Sequence, residues 1–405
     1  MSYTFPSSQI KLLAKCPSGL ETTLASELSD LGASNIEVLY RAVSFEGDKR
    51  LMYAANYQCR TALRILLPIK QFNILTEDDL YDGIKAVKWE DYFSSGETFA
   101  INSTLINSIF THSHYVSQRA KDAVADRFRE KTGERPSVDT DNPDFRINIH
   151  MNNNEVNLSF DSSGDSLHKR GYHVANAEAP ISEVLAAGMI LLSGWDRNST
   201  FIDPMCGSGT ILIEAAMIAM NLPAGQFREE YGFMKWKDFN KDLWEEVVNE
   251  AMEQQRDIDF DILGSDLSPV NLRSAEANLR QAHLHKDIKL KVSSFQDIIP
   301  PEGPGVLITN PPYGERIQVS DIIELYQDLG NLLKRRFAGY KAWVISADLQ
   351  AIKRIGLKPM KKHILFNGQL ECRFAGFDLY DGSKKAAKQG QGDPETSSES
   401  KELSE

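Results

Sequence analysis

Long apolar runs are missing from this 405-residue chain. None approaches the roughly 20 residues that a membrane-spanning helix needs, and Met1 to Gln9 carries neither the basic start nor the apolar stretch of a secretory signal. Cysteine is scarce. Cys16, Cys59, Cys206 and Cys372 lie far apart, with no Cys-x-x-Cys pair and no Cys/His cluster, so neither a disulfide framework nor a structural zinc is expected. A basic excess is missing too. The formal charge of -12 argues against a protein that coats nucleic acid nonspecifically, because neutralising phosphate takes clustered Lys and Arg. A local basic face remains compatible with that balance. These absences predict a cytoplasmic, metal-free protein, long enough for two or three domains.

Residues 10 to 72 alternate strand-like and helix-like pieces. Ile10 to Cys16 predicts a strand. Ser18 with Glu21 three residues on predicts a capping box, followed by a helix with Leu20, Leu24, Leu28 and Leu31 on one face and Gly32 at its end. Ile36 to Phe45 is strand-like, Lys49 to Cys59 helical, and Ala62 to Phe72 a further strand, an order that suggests a small ferredoxin-like α+β unit. A helix is expected over Ala120 to Glu130, with Arg119, Lys121 and Arg127 among its cations. These form either a solvated face offset by Asp122, Asp126 and Glu130 or a phosphate-contacting helix. Arg146 to His150 and Glu155 to Phe160 alternate like an antiparallel pair, and Asp161 to Ala179 has the composition of a linker.

From 200 to 350 strands and helices alternate, which predicts a parallel, doubly wound sheet. Phe201 to Asp203 leads into Pro204-Met205-Cys206-Gly207-Ser208-Gly209-Thr210. The third glycine of the dinucleotide fingerprint is absent at Leu212, so this loop is either a simple tight turn or the cradle of another ligand. Residues 223 to 260 exceed a usual connection and are expected to be an insertion. Asp266 ends the second strand, where a carboxylate can accept from both hydroxyls of a ribose; its plain alternative is an anion before the helix capped by Ser268. Asp297, after the third strand, is either an acceptor for an adenine amine or a surface turn residue. Cys206 fits a small buried side chain better than a nucleophile.

The sharpest signal is Thr309-Asn310-Pro311-Pro312-Tyr313-Gly314-Glu315-Arg316, which follows the apolar strand Val306 to Ile308. Two prolines cannot donate to a ladder and disfavour helix before them, so Asn310 is held on a stiff loop at the strand's carboxyl end, where open α/β sheets bind ligands. Asn310 offers an acceptor and Tyr313 a stacking face, a pair suited to a planar base with an exocyclic amine. Arg316 either meets a phosphate or pairs with Glu315. The sheet should close with an antiparallel hairpin through Asn367-Gly368, and the Lys-, Gly- and Ser-rich stretch beyond Tyr380 should be disordered.

Taken in order, Asp203 to Thr210, Asp266 and Asn310 to Arg316 resemble class I S-adenosylmethionine-dependent methyltransferases of exocyclic amines. Lys121-Asp122-Ala123, Asp126-Arg127-Phe128, Pro143-Asp144, Asp161 to Gly164, Leu167 to Tyr172 and Ala179-Pro180 narrow the resemblance to bacterial THUMP-containing guanine-N2 methyltransferases of large-subunit (23S) ribosomal RNA. That resemblance implies an α/β, Rossmann-like methyltransferase sheet with an antiparallel terminal hairpin, preceded by an α+β ferredoxin-like and THUMP RNA-binding region. The expected divisions are 1–70, 71–165, a linker at 166–180, the methyltransferase domain at 181–383 and a tail at 384–405. It implies S-adenosyl-L-methionine held by Ala179, Asp203, Pro204, Cys206, Gly207, Gly209, Thr210, Asp266, Asp297 and Asn310. Catalysis would fall to Asn310, Pro311, Pro312 and Tyr313, and RNA contacts to Arg119, Lys121, Arg127 and Arg316. The same chemistry on transfer RNA, and a non-catalytic RNA-binding assembly factor, are the alternatives.

Overall fold

The computed structural model describes residues 9–174, 181–312 and 319–380. The first half begins β1 (Ile10–Lys15), α1 (Glu21–Asp30), β2 (Ser34–Leu39), β3 (Ala42–Gly47), α2 (Lys49–Gln58), β4 (Arg64–Asn73), the βαββαβ order of a ferredoxin-like unit. The stretch expected as one strand is therefore two, broken at Tyr40 and Arg41, where Arg41 takes a left-handed φ of 56°. The expected Ser18 cap does not form. Leu20 occupies the N-cap position without a side-chain bond, and the Glu21 carboxylate instead accepts from the Gly19 and Arg41 backbone amides at 2.8 and 3.0 Å. Leu20, Leu24 and Leu28 are buried, as their spacing predicts.

Next come α3 (Glu77–Lys85), β5 (Thr98–Ile106), α4 (Ser113–Thr132), β6 (Ser137–Val138), β7 (Phe145–Asn152) and β8 (Glu155–Asp161). Helix α4 extends past the expected bounds and stops at Gly133, whose φ of 79° suits a residue without Cβ. These strands do not form a sheet of their own. Strand β4 pairs with β1 on one edge and β8 on the other, which fuses both units into one eight-stranded sheet, β2-β3-β1-β4-β8-β7-β5-β6.

The second half contains α5 (Glu183–Ser193), β9 (Thr200–Asp203), α6 (Thr210–Ala219), α7 (Lys241–Glu253), β10 (Ile262–Asp266), α8 (Pro269–Gln281), β11 (Ile288–Val292), β12 (Gly305–Thr309), α9 (Val319–Arg336), β13 (Tyr340–Ser346), α10 (Leu349–Arg354), β14 (Lys361–Asn367) and β15 (Leu370–Asp378). Its sheet runs β11-β10-β9-β12-β13-β15-β14, with β11 through β13 parallel and the last hairpin antiparallel. This is the Rossmann-like α/β sheet with the antiparallel ending that the sequence predicts. No helix among the described residues is long and apolar enough to cross a membrane.

One face of this sheet packs under α5, α6 and α8, the other under α9 and α10. The α5–α6 face also receives the first half. A Cβ on Gly188 of α5 would come within 2.6 Å of Leu20, and the buried Arg60 donates to the Leu222 carbonyl at 2.5 Å. The insertion supplies further cement: Phe233 stacks on Tyr53 at 4.3 Å between ring centres, and Trp244 meets Tyr57 edge-on. On the opposite face Gly330 of α9 lies against the backbone of Ile355, and any Cβ there would collide with that carbonyl. Gly330→Ala is therefore expected to cost about 1–3 kcal/mol of stability through overpacking, read as a lower urea midpoint with an unchanged slope.

Candidate active site

In the parallel part of the sheet the chain leaves β9 for β10 and β11 on one side, then returns to β12 and β13 on the other. The crevice above the carboxyl ends of β9 and β12 is thus a topological switch point, the usual ligand position in such sheets. Asp203 ends β9. Its carboxylate is buried and accepts from the Thr309 hydroxyl at 2.9 Å and the Met205 amide at 3.2 Å, tying the β9 loop to the last residue of β12. Burial pushes its pKa up to about 7, with Asp266 nearby adding to the rise.

After Pro204 and Met205, the Cys206 amide donates to the Ser265 carbonyl of β10 at 2.9 Å, fixing the loop to the neighbouring strand. Burial also raises the Cys206 thiol well above its ordinary value, so it stays protonated and is no nucleophile. Gly207 and Gly209 have φ of 54° and 82°. A Cβ on Gly209 would touch Leu279 and Ala275 of α8, whereas one on Gly207 would meet nothing within 4 Å, so the backbone at Gly207 faces open space. Helix α6 begins at Thr210, directly after this loop and with no side-chain cap, so the amides of its first turn lack intrahelical partners.

Asp266 bridges two loops. One carboxylate oxygen accepts from the Gly207 amide at 3.0 Å, the other from the Ser268 amide at 2.8 Å and the Asn271 side chain at 3.2 Å. Each oxygen keeps acceptor capacity beyond these bonds. Leu267 beside it is 75% exposed, an apolar surface next to a carboxylate. Asp297 lies exposed in a short 3₁₀ turn after β11. Asn310 follows β12 directly, and its side-chain oxygen is buried with no hydrogen-bond partner among the described residues. Such an orphaned acceptor is costly unless a ligand meets it. Pro311 is buried and Pro312 half-buried behind it. Tyr313, Arg316 and Ala179 lie outside the described residues.

Two residues of this crevice, Asn278 and Glu183, escaped sequence reasoning. Asn278 on α8 is buried; it donates to the Ser208 carbonyl at 3.1 Å and accepts from the Val174 amide at 3.0 Å, clamping the glycine loop to the incoming chain. His173 contacts Thr210 at 3.4 Å and Glu183 at 3.6 Å. Burial pushes the Glu183 carboxyl up to about 7. An asparagine among the apolar positions Leu272, Ala275 and Leu279 is the sequence signal that could have marked Asn278.

The expected RNA-contacting cations sit on α4, distant in sequence from this crevice. Arg119 pairs with Asp78 at 2.9 Å, Arg127 holds Glu90 through two nitrogens, and Lys121 bonds Gln118. Reaching a phosphate would mean releasing or sharing these partners.

A glycine loop, a strand-end carboxylate and an unpaired amide acceptor at the switch point of this sheet define a class I methyltransferase fold. Residues 170–375 match the family model described as RMKL-like, methyltransferase domain; residues 75–161 match the THUMP domain, and residues 11–66 the RlmL ferredoxin-like domain. A Synechocystis protein provisionally named an RNA methyltransferase is 38% identical over 364 residues, covering 89% of this chain and 95% of that protein. The ribosomal RNA large subunit methyltransferase K/L of Syntrophotalea carbinolica is 38% identical over 383 residues, 91% of this chain but 54% of that enzyme. The chain thus spans about half the length of the K/L relatives it matches. The crystal structure of SMU.472, provisionally described as a methyltransferase and complexed with SAH, superposes with a TM-score of 0.85 at 31% identity, covering 93% of this chain and 100% of that one. The chain belongs to the RMKL-like methyltransferase family.

Proposed function

We propose that this protein uses S-adenosyl-L-methionine to methylate the exocyclic N2 amine of a guanine in 23S ribosomal RNA, in the cytoplasm. The observation that carries the reading is the oxygen of Asn310 at the carboxyl end of β12, buried and unpartnered among the described residues. An amide oxygen there accepts an N–H of an amine, and the Pro311 carbonyl can take the second. With both N–H bonds held, the lone pair is turned out of the ring plane toward the crevice. Pro311 and Pro312 keep the loop stiff, and Tyr313 would stack on the base. This is catalysis by positioning and preorganised acceptors.

The open space at Gly207, the free amides of α6 and the carboxylates of Asp203 and Asp266 fit the methyl donor. Gly209, Thr210, Pro204 and Cys206 shape the cradle, and Ala179 and Asp297 would complete it. When bound, that cofactor supplies an electrophilic methyl on a sulfonium. Because it carries positive charge, it should favour ionised Asp203. With a folded pKa of about 7, the ionised fraction grows as pH rises from 6 to 8, so calorimetric affinity should tighten by roughly ten-fold over that interval. Asp203→Asn should bind more weakly and lose that part of the slope; an equally steep slope in the variant would refute the linkage.

A base inside a helix must be flipped to reach Asn310. The THUMP half, with Arg119, Lys121 and Arg127 half-buried on α4, would hold the surrounding strand by its phosphates, and Arg316 would add a further phosphate contact. The names of the K/L relatives support large-subunit RNA over transfer RNA. Mass-spectrometric mapping of methylguanosines in ribosomal and transfer RNA, from cells with and without the protein, tests the reading. Loss of one N2-methylguanosine from 23S RNA is expected. Loss from transfer RNA would move the substrate, and no loss anywhere would leave a non-catalytic RNA-binding role.

A further inference from the structure

Positive charge without a counter-charge is concentrated away from the THUMP half. Between residues 334 and 370 the chain carries nine Lys and Arg side chains and one acid, Asp348, within a protein of net charge -12. All nine are exposed, and six of them, Lys334, Lys353, Arg354, Lys358, Lys361 and Lys362, cluster around α10 and the start of β14. Asp348 is itself occupied as the cap of α10, accepting from the Gln350 and Ala351 amides. Among the described residues none of the six forms an ion pair; Lys353 reaches only the Gln350 side chain, at 3.4 Å. This contrasts with α4, where Arg119 and Arg127 are each matched by an acid.

The fold gathers five of these six on one side; Lys361, opposite Gly376 of β15, projects to the other face, whereas Lys362, opposite Ala375, shares the α9–α10 face. The end of α9 lies against the end of α10, where Lys334 approaches to 3.0 Å of a Cβ placed on Gly356. Lys358 follows that junction. Lys361 and Lys362 open β14, the edge strand whose partner β15 lies beside β13. Helix α10 starts just beyond the carboxyl end of β13, the strand next to β12. At 1.5 Å per residue, Lys353 and Arg354 sit about 8 Å down that helix from the catalytic edge. Lys334, Lys353, Arg354, Lys358 and Lys362 therefore lie on the sheet face opposite the one covered by the first half, beside the strand that adjoins β12. Helix C-termini favour cations and edge strands favour lysine, but neither rule explains why Asp348 is the one acid from the last turn of α9 through β14.

We propose that the α9–α10–β14 face is a second RNA-docking surface, taking the phosphate backbone of the segment that leaves the base pocket on the side away from the THUMP half. This rests on the RNA reading given above. The RNA would then span the methyltransferase domain, held at both ends.

The test is a full-length Lys353→Glu, Arg354→Glu, Lys358→Glu, Lys362→Glu variant, with the matching glutamine variant as a milder form. Unchanged calorimetric binding of S-adenosylmethionine certifies the fold. The probe is in-vitro-transcribed 23S RNA, with affinity measured from 50 to 300 mM KCl. The charge-reversed protein should bind at least ten-fold more weakly at 100 mM, and its log–log salt slope should fall by roughly 3, since each lost phosphate contact removes about 0.7–0.9. KM for RNA should rise while kcat at saturating RNA stays the same. Equal RNA affinity and slope in variant and wild type, with wild type active on RNA, would overturn the docking surface alone. Wild type that neither binds nor methylates RNA would overturn the substrate reading and this surface together. Wild-type binding to phosphatidylserine vesicles that the variant loses, with RNA binding intact, would assign the face to a membrane and overturn the proposal.

Discussion

Asn310→Ala should lower kcat by roughly a thousand-fold, the scale set by removing one preorganised hydrogen-bonding group from an active site, while S-adenosylmethionine affinity stays within about two-fold. The split follows from the geometry. Contacts among the cofactor-side loops run through Asp203, Gly207 and Asp266 and do not involve the Asn310 amide. The Asn310 oxygen, by contrast, is buried without a partner among the described residues, so in the proposed mechanism its loss removes the acceptor for the substrate amine. Asn310→Asp keeps an acceptor but adds charge, and should recover part of the rate. Single-turnover methyl transfer to RNA with saturating cofactor reads this directly. An alanine variant with near-normal turnover would remove Asn310 from the mechanism.

A comparably large effect, on stability, is expected at Glu214. This residue lies fully buried on α6 and accepts from the Tyr172 hydroxyl at 2.9 Å and from Arg170 Nε at 3.4 Å. Arg170 is buried too, and its remaining nitrogens donate to the Leu167 and Arg60 carbonyls at 2.8 and 2.6 Å. Glu214→Leu leaves a guanidinium in the interior bonded to carbonyls, with its contacting carboxylate gone and Glu183 and Glu27 the acids that remain nearby. Removing one partner of a buried pair typically costs about 3–5 kcal/mol, so the urea midpoint should drop sharply. Adding Arg170→Met should restore much of that loss, because the uncompensated charge leaves with it. Additive losses in the double variant would show that the two side chains are not coupled.

Much of the catalytic half was legible because its signals are local. Pro311 and Pro312 end β12 by their own covalent chemistry, Ser268 and Pro269 start α8 in the order helices prefer, and Asn367-Gly368 turns the last hairpin. Where the reading missed, the deciding partner was remote or the local signal weak. Ser18 lost its cap because Glu21 turned back to the amides of Gly19 and Arg41. The break between β2 and β3 falls on Tyr40-Arg41, a pair with no glycine, proline or asparagine to announce it. Asn278 meets His173 across more than a hundred residues, and the acids that occupy Arg119 and Arg127 come from the separate segments at Asp78 and Glu90. The segment of 161–174 looked like a linker by composition, yet Asp161, Ser162, Arg170 and Tyr172 are all buried.

The shared β4 strand has a consequence for how the protein is made. Its second edge is closed by β8, whose last residue is Asp161, so the sheet begun at Ile10 cannot be finished until that residue has been synthesised. At about 5–20 residues per second, this leaves the unpaired edge of β4 waiting several seconds beside the ribosome. An exposed edge of that kind is a template for wrong pairing. Pro68, the one proline within β4, sits where the register with β8 shifts, and during that interval it gives the nascent strand a built-in guard against a neighbouring chain.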